Sequence, residues 1–185
     1  MRLFIAIELP EEIKGKIAGV QGQLKASGAG ANWTRPGGVH LTLKFLGEVP
    51  EAKVREILAA MAGAAQGTGK LSLKIGGAGA FPNAKAPRVL WIGVGGDVGK
   101  LSALQAAVED AMGRQGFERE ARKFSPHLTL ARIRFPKPLD NWAPVLGSIR
   151  DVDLGEFEAD RLSLMKSELR RDGAVYTEVG RVELK

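Results

Sequence analysis

Apolar positions along the chain alternate between two periods, and the switches between them predict the elements. The run RLFIAIE (2–8) is apolar from Leu3 to Ile7 and predicts a buried strand. Pro10 then opens EEIKGKIAGVQGQLKA, where Ile13, Ile17, Val20 and Leu24 recur at helical spacing. The pair repeats: GVHLTLKFLGEV carries strand-type residues and stops at Pro50, and the segment after it places Val54, Ile57, Leu58 and Met61 on one helical face. LSLKIGG (71–77) and PRVLWIGV (87–94) predict two strands around the loop AGAFPNAKA. Asp97 is placed to cap a helix carrying Leu101, Leu104, Val108 and Met112, closed by Gly113 and Gly116. The rest offers the strand SPHLTLARIRF, a short helix near Asp140 to Leu146, and a hairpin from DRLSLMKSEL to AVYTEVGRVEL across Arg170–Gly173. Seven or eight strands and three or four helices result, and the strand-rich end argues for α+β with largely antiparallel sheets over a doubly wound parallel sheet.

Length and composition narrow this picture. The chain has 185 residues, 44% of them apolar, which suits one domain over 1–185 or two small lobes sharing a core. No apolar run reaches the roughly 18 residues a membrane span needs, and the first twelve residues read as a strand, not a signal peptide. With no cysteine there is no disulfide, thiol chemistry or thiolate metal site, which fits a reducing compartment, and the cytoplasm is the expected location. An excess of 27 Lys and Arg over 21 Asp and Glu gives +6, a field that favours RNA or nucleotides as partners. The glycine-rich stretches GAGA (28–31) and GGAGAFP (76–82) match neither a dinucleotide fingerprint nor a phosphate loop, and both read as turns.

The candidate chemistry lies in a repetition. The chain has two histidines, and both begin the same tetrapeptide, His40-Leu41-Thr42-Leu43 and His127-Leu128-Thr129-Leu130. In a strand, alternate residues share a face, so each copy presents an imidazole beside a hydroxyl, with two leucines behind. Two imidazoles able to be neutral or charged near pH 7 make an acid and a base. Opening a cyclic phosphodiester needs both: one takes a proton from water while the other protonates the departing ribose oxygen, and the threonine hydroxyls can donate to the phosphate. Zinc would ask for a third protein ligand, and none lies at a telling spacing, so no metal and no other cofactor is expected.

These residues resemble a known family, the two-histidine phosphoesterases, and within it the LigT-like RNA 2′,3′-cyclic phosphodiesterases, also called 2′-5′ RNA ligases. The resemblance is carried by the H-L-T-L pair, RLFIAIELP, Trp33 ahead of HLTLKFLGEVP, GAFPNAKAPRVLWIGV, FSPHLTLAR, and LMKSEL followed by GAVYTEV. It implies a bilobal, pseudo-two-fold α+β fold with sheets lining a central cleft and helices outside. It also implies metal-independent hydrolysis of a terminal RNA 2′,3′-cyclic phosphate to a 2′-phosphomonoester; a monomer acting on RNA ends or nucleotides is the expected form. In that pattern His40 is the proton donor, His127 the proton acceptor, and Thr42 and Thr129 hold the phosphate. Arg132 and Phe45, each five residues after a motif histidine, become a phosphate contact and a base-stacking ring. Strict alternation objects, because an odd offset puts both on the leucine side unless the strand ends or bulges there, and Phe45 read alone is a core residue. Arg35, Lys44, Arg88, Arg122 and Lys123 could form a basic rim, while Trp91, inside VLWIGV, reads as core. Two other functions remain open: ATP-independent 2′-5′ ligation in the same site, and RNA binding without catalysis.

Overall fold

In the computed structural model, which describes residues 1–26, 30–134, 142–171 and 173–185, the chain begins with β1 (Arg2–Glu8), α1 (Glu11–Ala26), β2 (Asn32–Trp33) and β3 (His40–Glu48). There follow α2 (Val54–Ala65), β4 (Leu71–Phe81), β5 (Val89–Gly96), α3 (Val98–Arg114) and β6 (His127–Arg132). The chain closes with α4 (Trp142–Ser148), β7 (Asp153–Ala159), β8 (Arg161–Arg170) and β9 (Gly173–Glu183). Part of the 28–31 turn, Asp140 and Asn141 ahead of α4, and Asp172 in the final hairpin lie outside the described residues.

The strands form two sheets, ordered β3-β1-β8-β9 and β2-β6-β5-β4-β7, with every pairing antiparallel. The first sheet's order matches β6-β5-β4-β7 in the second, with β2 added outside β6. In each, a strand is followed by a helix and then by the strand's antiparallel neighbour, β5-α3-β6 directly and β1-α1-β3 with the two-residue β2 intervening, and the neighbour opens with the H-x-T motif. The bilobal, pseudo-two-fold α+β expectation therefore holds in the strand order itself.

The core follows the predicted periodicities. Ile13, Ile17, Val20 and Leu24 of α1 are buried, as are Leu101, Leu104, Val108 and Met112 of α3. They join Leu41 and Leu43 of β3, Leu128 and Leu130 of β6, and residues of both sheets in one continuous apolar cluster. Burying a side chain of this size is worth about 1.5–3 kcal/mol, so the four motif leucines anchor the two histidine strands to the core they share. No helix among the described residues is long and apolar enough to cross a membrane.

Three readings are corrected. The stretch 76–81 is strand, not turn: β4 continues through it, with a bulge between Gly76 and Ala78 and Gly77 at φ +69°. Its glycines answer to crowding, since a Cβ at Gly76 would sit 2.6 Å from the Val152 carbonyl oxygen and one at Gly79 would land on the Trp91 ring. Asp97 does stand at the start of α3, but its carboxylate accepts from the Ser72 backbone N–H (2.9 Å) and ties the helix to β4 instead of capping it. Trp91 is not core: Leu90 and Ile92 are buried, and Trp91 projects half-buried to the opposite face.

Candidate active site

His40 and His127 are the first residues of β3 and β6, and these two strands, one from each sheet, lie side by side without pairing to each other. Both motifs show the same accessibility along the strand: His half-buried, Leu buried, Thr half-buried, then two buried residues and an exposed one. Two buried residues in succession break the alternation, and the pairing explains why. Against β1 the register skips Leu43, and against β5 it skips Leu130, so the fourth residue of each motif is a β-bulge. Beyond the bulge the parity inverts. Phe45 (62% exposed) and Arg132 return to the face carrying His40, Thr42, His127 and Thr129. The objection from strict alternation is thereby removed by the same irregularity in both sheets.

The same inversion turns Lys44 inward, correcting its place in the basic rim. Its ammonium is buried and contacts Glu109 Oε1 and the Glu118 carbonyl, both at 2.6 Å. Of the other rim candidates, Arg88 donates to the Arg134 carbonyl (2.7 Å), and Arg122 and Lys123 are exposed on the segment leading into β6. Arg35 lies beside Gly173 at the start of β9.

Each imidazole is tethered to the backbone two residues before it. His127 Nδ1–H donates to the Ser125 carbonyl (2.7 Å), and a ring nitrogen of His40 donates to the carbonyl of Gly38. Such a bond selects the tautomer, and at His127 it leaves Nε2 with its lone pair. The surroundings differ. His40 stacks on Phe4 (centroids 4.5 Å apart, planes at 28°) and meets the edge of Tyr176 at 5.0 Å, so burial pushes its pKa down to about 4. The tether to Gly38 opposes that shift, and the charge of Lys14 adds to it. Among the described aromatic rings, His127 meets the edge of Phe81, at 5.1 Å, and Phe81 in turn leans on Trp91.

These aromatic walls escaped the sequence reading. Phe4, Ala6, Met165 and Tyr176 form a small apolar cluster of their own, separate from the main core. Phe81 and Trp91 are its counterpart on the second sheet. The available signal for Trp91 was its position between Leu90 and Ile92, directly across from Thr129. Its seat depends on Gly79, and replacing Gly79 by Ala is expected to cost about 1–3 kcal/mol through overpacking, measurable as a lower urea midpoint.

Among the described residues no three His, Cys, Asp or Glu side chains come together to hold a metal ion. The face carrying the motifs offers two imidazoles in different aromatic surroundings, two hydroxyls, one guanidinium and an exposed ring, a set matched to an anionic ester beside a planar group.

The model of the LigT-like phosphoesterases matches residues 7–91 and 94–176, one motif in each segment. The chain belongs to this family. Among its curated relatives is the RNA 2′,3′-cyclic phosphodiesterase of Methanothermobacter thermautotrophicus, 34% identical over 179 residues, covering 97% of this chain and 96% of the relative. The enzyme of the same name from Methanocaldococcus jannaschii is 36% identical over 176 residues, covering 95% and 96%. Of solved structures, the TT0787 protein of Thermus thermophilus superposes with a TM-score of 0.78 at 32% identity, over 100% of this chain and 98% of that one. The 3′-AMP complex of E. coli LigT gives 0.74 at 27% identity, over 99% and 97%. In this LigT-like phosphoesterase both H-x-T tetrapeptides begin strands with matching bulges.

Proposed function

We propose that this LigT-like phosphoesterase hydrolyses terminal 2′,3′-cyclic phosphates of RNA to 2′-phosphomonoesters, with His40 and His127 as the acid-base pair. The observation that carries the reading is the equivalence of the two motifs: neighbouring strands, the same tethered imidazole, the same hydroxyl two residues on, the same bulge. The names of the curated relatives and the 3′-AMP bound to E. coli LigT point to the same substrate class. His127, with Nε2 free to accept, takes a proton from water as the water oxygen attacks phosphorus. The bond from phosphorus to the ribose 3′ oxygen breaks, and His40 supplies the proton that oxygen needs. Thr42, Thr129 and Arg132 meet the non-bridging oxygens, where charge gathers, and Phe45 stacks on the terminal base.

His40 must carry a proton to serve as the acid, and burial opposes that in the empty site. A phosphodiester anion placed against the imidazole works in the other direction, raising its pKa. The substrate thus charges its own acid. The depressed pKa also favours a second reading, in which neutral His40 is the base and His127 the acid. Either order runs in the same direction with an RNA 5′-hydroxyl in place of water: its oxygen attacks phosphorus, the bond to the 3′ oxygen breaks, and a 2′-5′ linkage forms without ATP.

Incubation with a cyclic-phosphate-terminated oligoribonucleotide, in the presence of EDTA, is expected to give a 2′-phosphomonoester. Binding of the RNA without turnover would leave a non-catalytic RNA-binding domain as the better reading. Adding a 5′-hydroxyl acceptor strand and mapping the product linkage measures the share of ligation.

A further inference from the structure

The two helices that link the paired strands exchange sides. The helix α1 leaves β1 of the first sheet and runs against β7 of the second, while α3 leaves β5 of the second sheet and runs against β3 of the first. Each delivers one glutamine to the bulge of the sheet it reaches. Gln21, 1% exposed, donates its amide to the Leu130 carbonyl at 3.0 Å and to the Thr34 carbonyl at 2.7 Å. Gln105 donates to the Leu43 carbonyl at 3.3 Å and contacts Glu109 Oε2 at 3.4 Å. Leu43 and Leu130 are the residues the two ladders skip within the motifs.

We infer that Gln21 and Gln105 are reciprocal positioning residues, each holding the motif bulge of the opposite sheet and so fixing where Arg132 and Phe45 stand relative to the phosphate. A bulge interrupts the ladder, and its carbonyl needs another donor. At Leu130 the donors are Gln21 and the Thr34 N–H (2.9 Å); at Leu43 it is Gln105. Were Leu130 to slip back into register, every later residue of β6 would change face, and Arg132 would turn from the motif face to the core. The choice of a glutamine is costly for stability alone, since Gln21 Oε1 is buried with no hydrogen-bond partner among the described residues.

This inference rests on the proposed function, since Arg132 and Phe45 matter through the substrate. The test is a double-mutant cycle with Gln21→Met and Arg132→Gln, reading kcat and KM for a cyclic-phosphate dinucleotide well below the melting temperature. Gln21→Met alone is expected to raise KM about ten-fold, consistent with an ångström-scale displacement of a binding group. Added to Arg132→Gln it is expected to cause little further loss, because its effect runs through that side chain. Independent, multiplying losses, or a lowered melting temperature with unchanged kcat and KM, would overturn the positioning role. A crystal structure of Gln21→Met separates this outcome from failure of the functional reading, because it reports the bulge whether or not the chain turns over. A shift of the Leu130 bulge with Arg132 displaced supports the inference, and both unmoved defeats it. Gln105→Met, read at Phe45, repeats the measurement in the first sheet.

Discussion

Replacing either motif histidine by alanine is expected to lower kcat/KM for cyclic phosphate hydrolysis by about 10²–10⁴-fold, the range for loss of one positioned acid or base. The double variant should fall little below the worse single one, since water activation and leaving-group protonation serve one transition state and lose their separate value when either is gone. A single variant within a factor of two of the parent would remove that histidine from the chemistry. The two roles separate with a substrate whose 3′ bridging oxygen is sulfur. A thiolate departs without a proton, so the acid's variant recovers most of its rate on that substrate and the base's variant does not. With His40 as donor, His40→Ala is the variant rescued; rescue of His127→Ala instead would establish the reverse order. Neither substitution should unfold the chain, because each imidazole is only half-buried and the flanking Leu41, Leu43, Leu128 and Leu130 hold the strands.

What could be read from the sequence follows the range over which each feature is encoded. The helices α1 to α3, the long strands and the motif faces are written in local periodicity, so Ile17, Leu104 and the H-x-T pairs could be placed from spacing alone. The strand β7, DLGEFEA, was missed: its alternation is diluted by charges and a glycine, and only pairing with β4 defines it. Phe45 and Arg132 marked the edge of what spacing can say, since alternation put them on one face and resemblance on the other. A bulge decides between them, and it arises from Leu43 and Leu130 skipping a partner in β1 and β5, at distances no local window spans. Lys44 is the same lesson in charge: it reads as a surface cation until Glu109, 65 residues away, neutralises it inside. The walls of Phe4 and Tyr176, or Phe81 and Trp91, likewise join strands that meet only in the sheets.

Packing of the His40 imidazole against Phe4 and Tyr176 gives the folded protein a measurable acid sensitivity. His40 titrates near 6.5 in the unfolded chain and near 4 in the folded one, a difference of about 3 kcal/mol if fully expressed. The sign follows from proton counts. Between these values the unfolded state binds a proton that the folded state refuses, so stability falls as pH drops from 6.5 to 4 and this contribution is spent below 4. Phe4 and Tyr176 supply the burial, and Lys14, held by Glu11 at 3.1 Å and by Glu8 at 4.0 Å, adds repulsion. Urea unfolding of the parent and of His40→Gln at pH 7 and pH 4.5 should show the parent losing more, since both share every carboxylate that titrates in the window. Equal losses would show that His40 is not held neutral by its surroundings. Binding of inorganic phosphate in the cleft should reverse the effect, moving the His40 imidazole titration upward by NMR as the anion stabilises the imidazolium. That upward movement is the event the proposed acid requires: the buried ring that resists a proton in the empty site accepts one when a phosphate arrives, and the energy that held it neutral then favours giving the proton to the leaving oxygen.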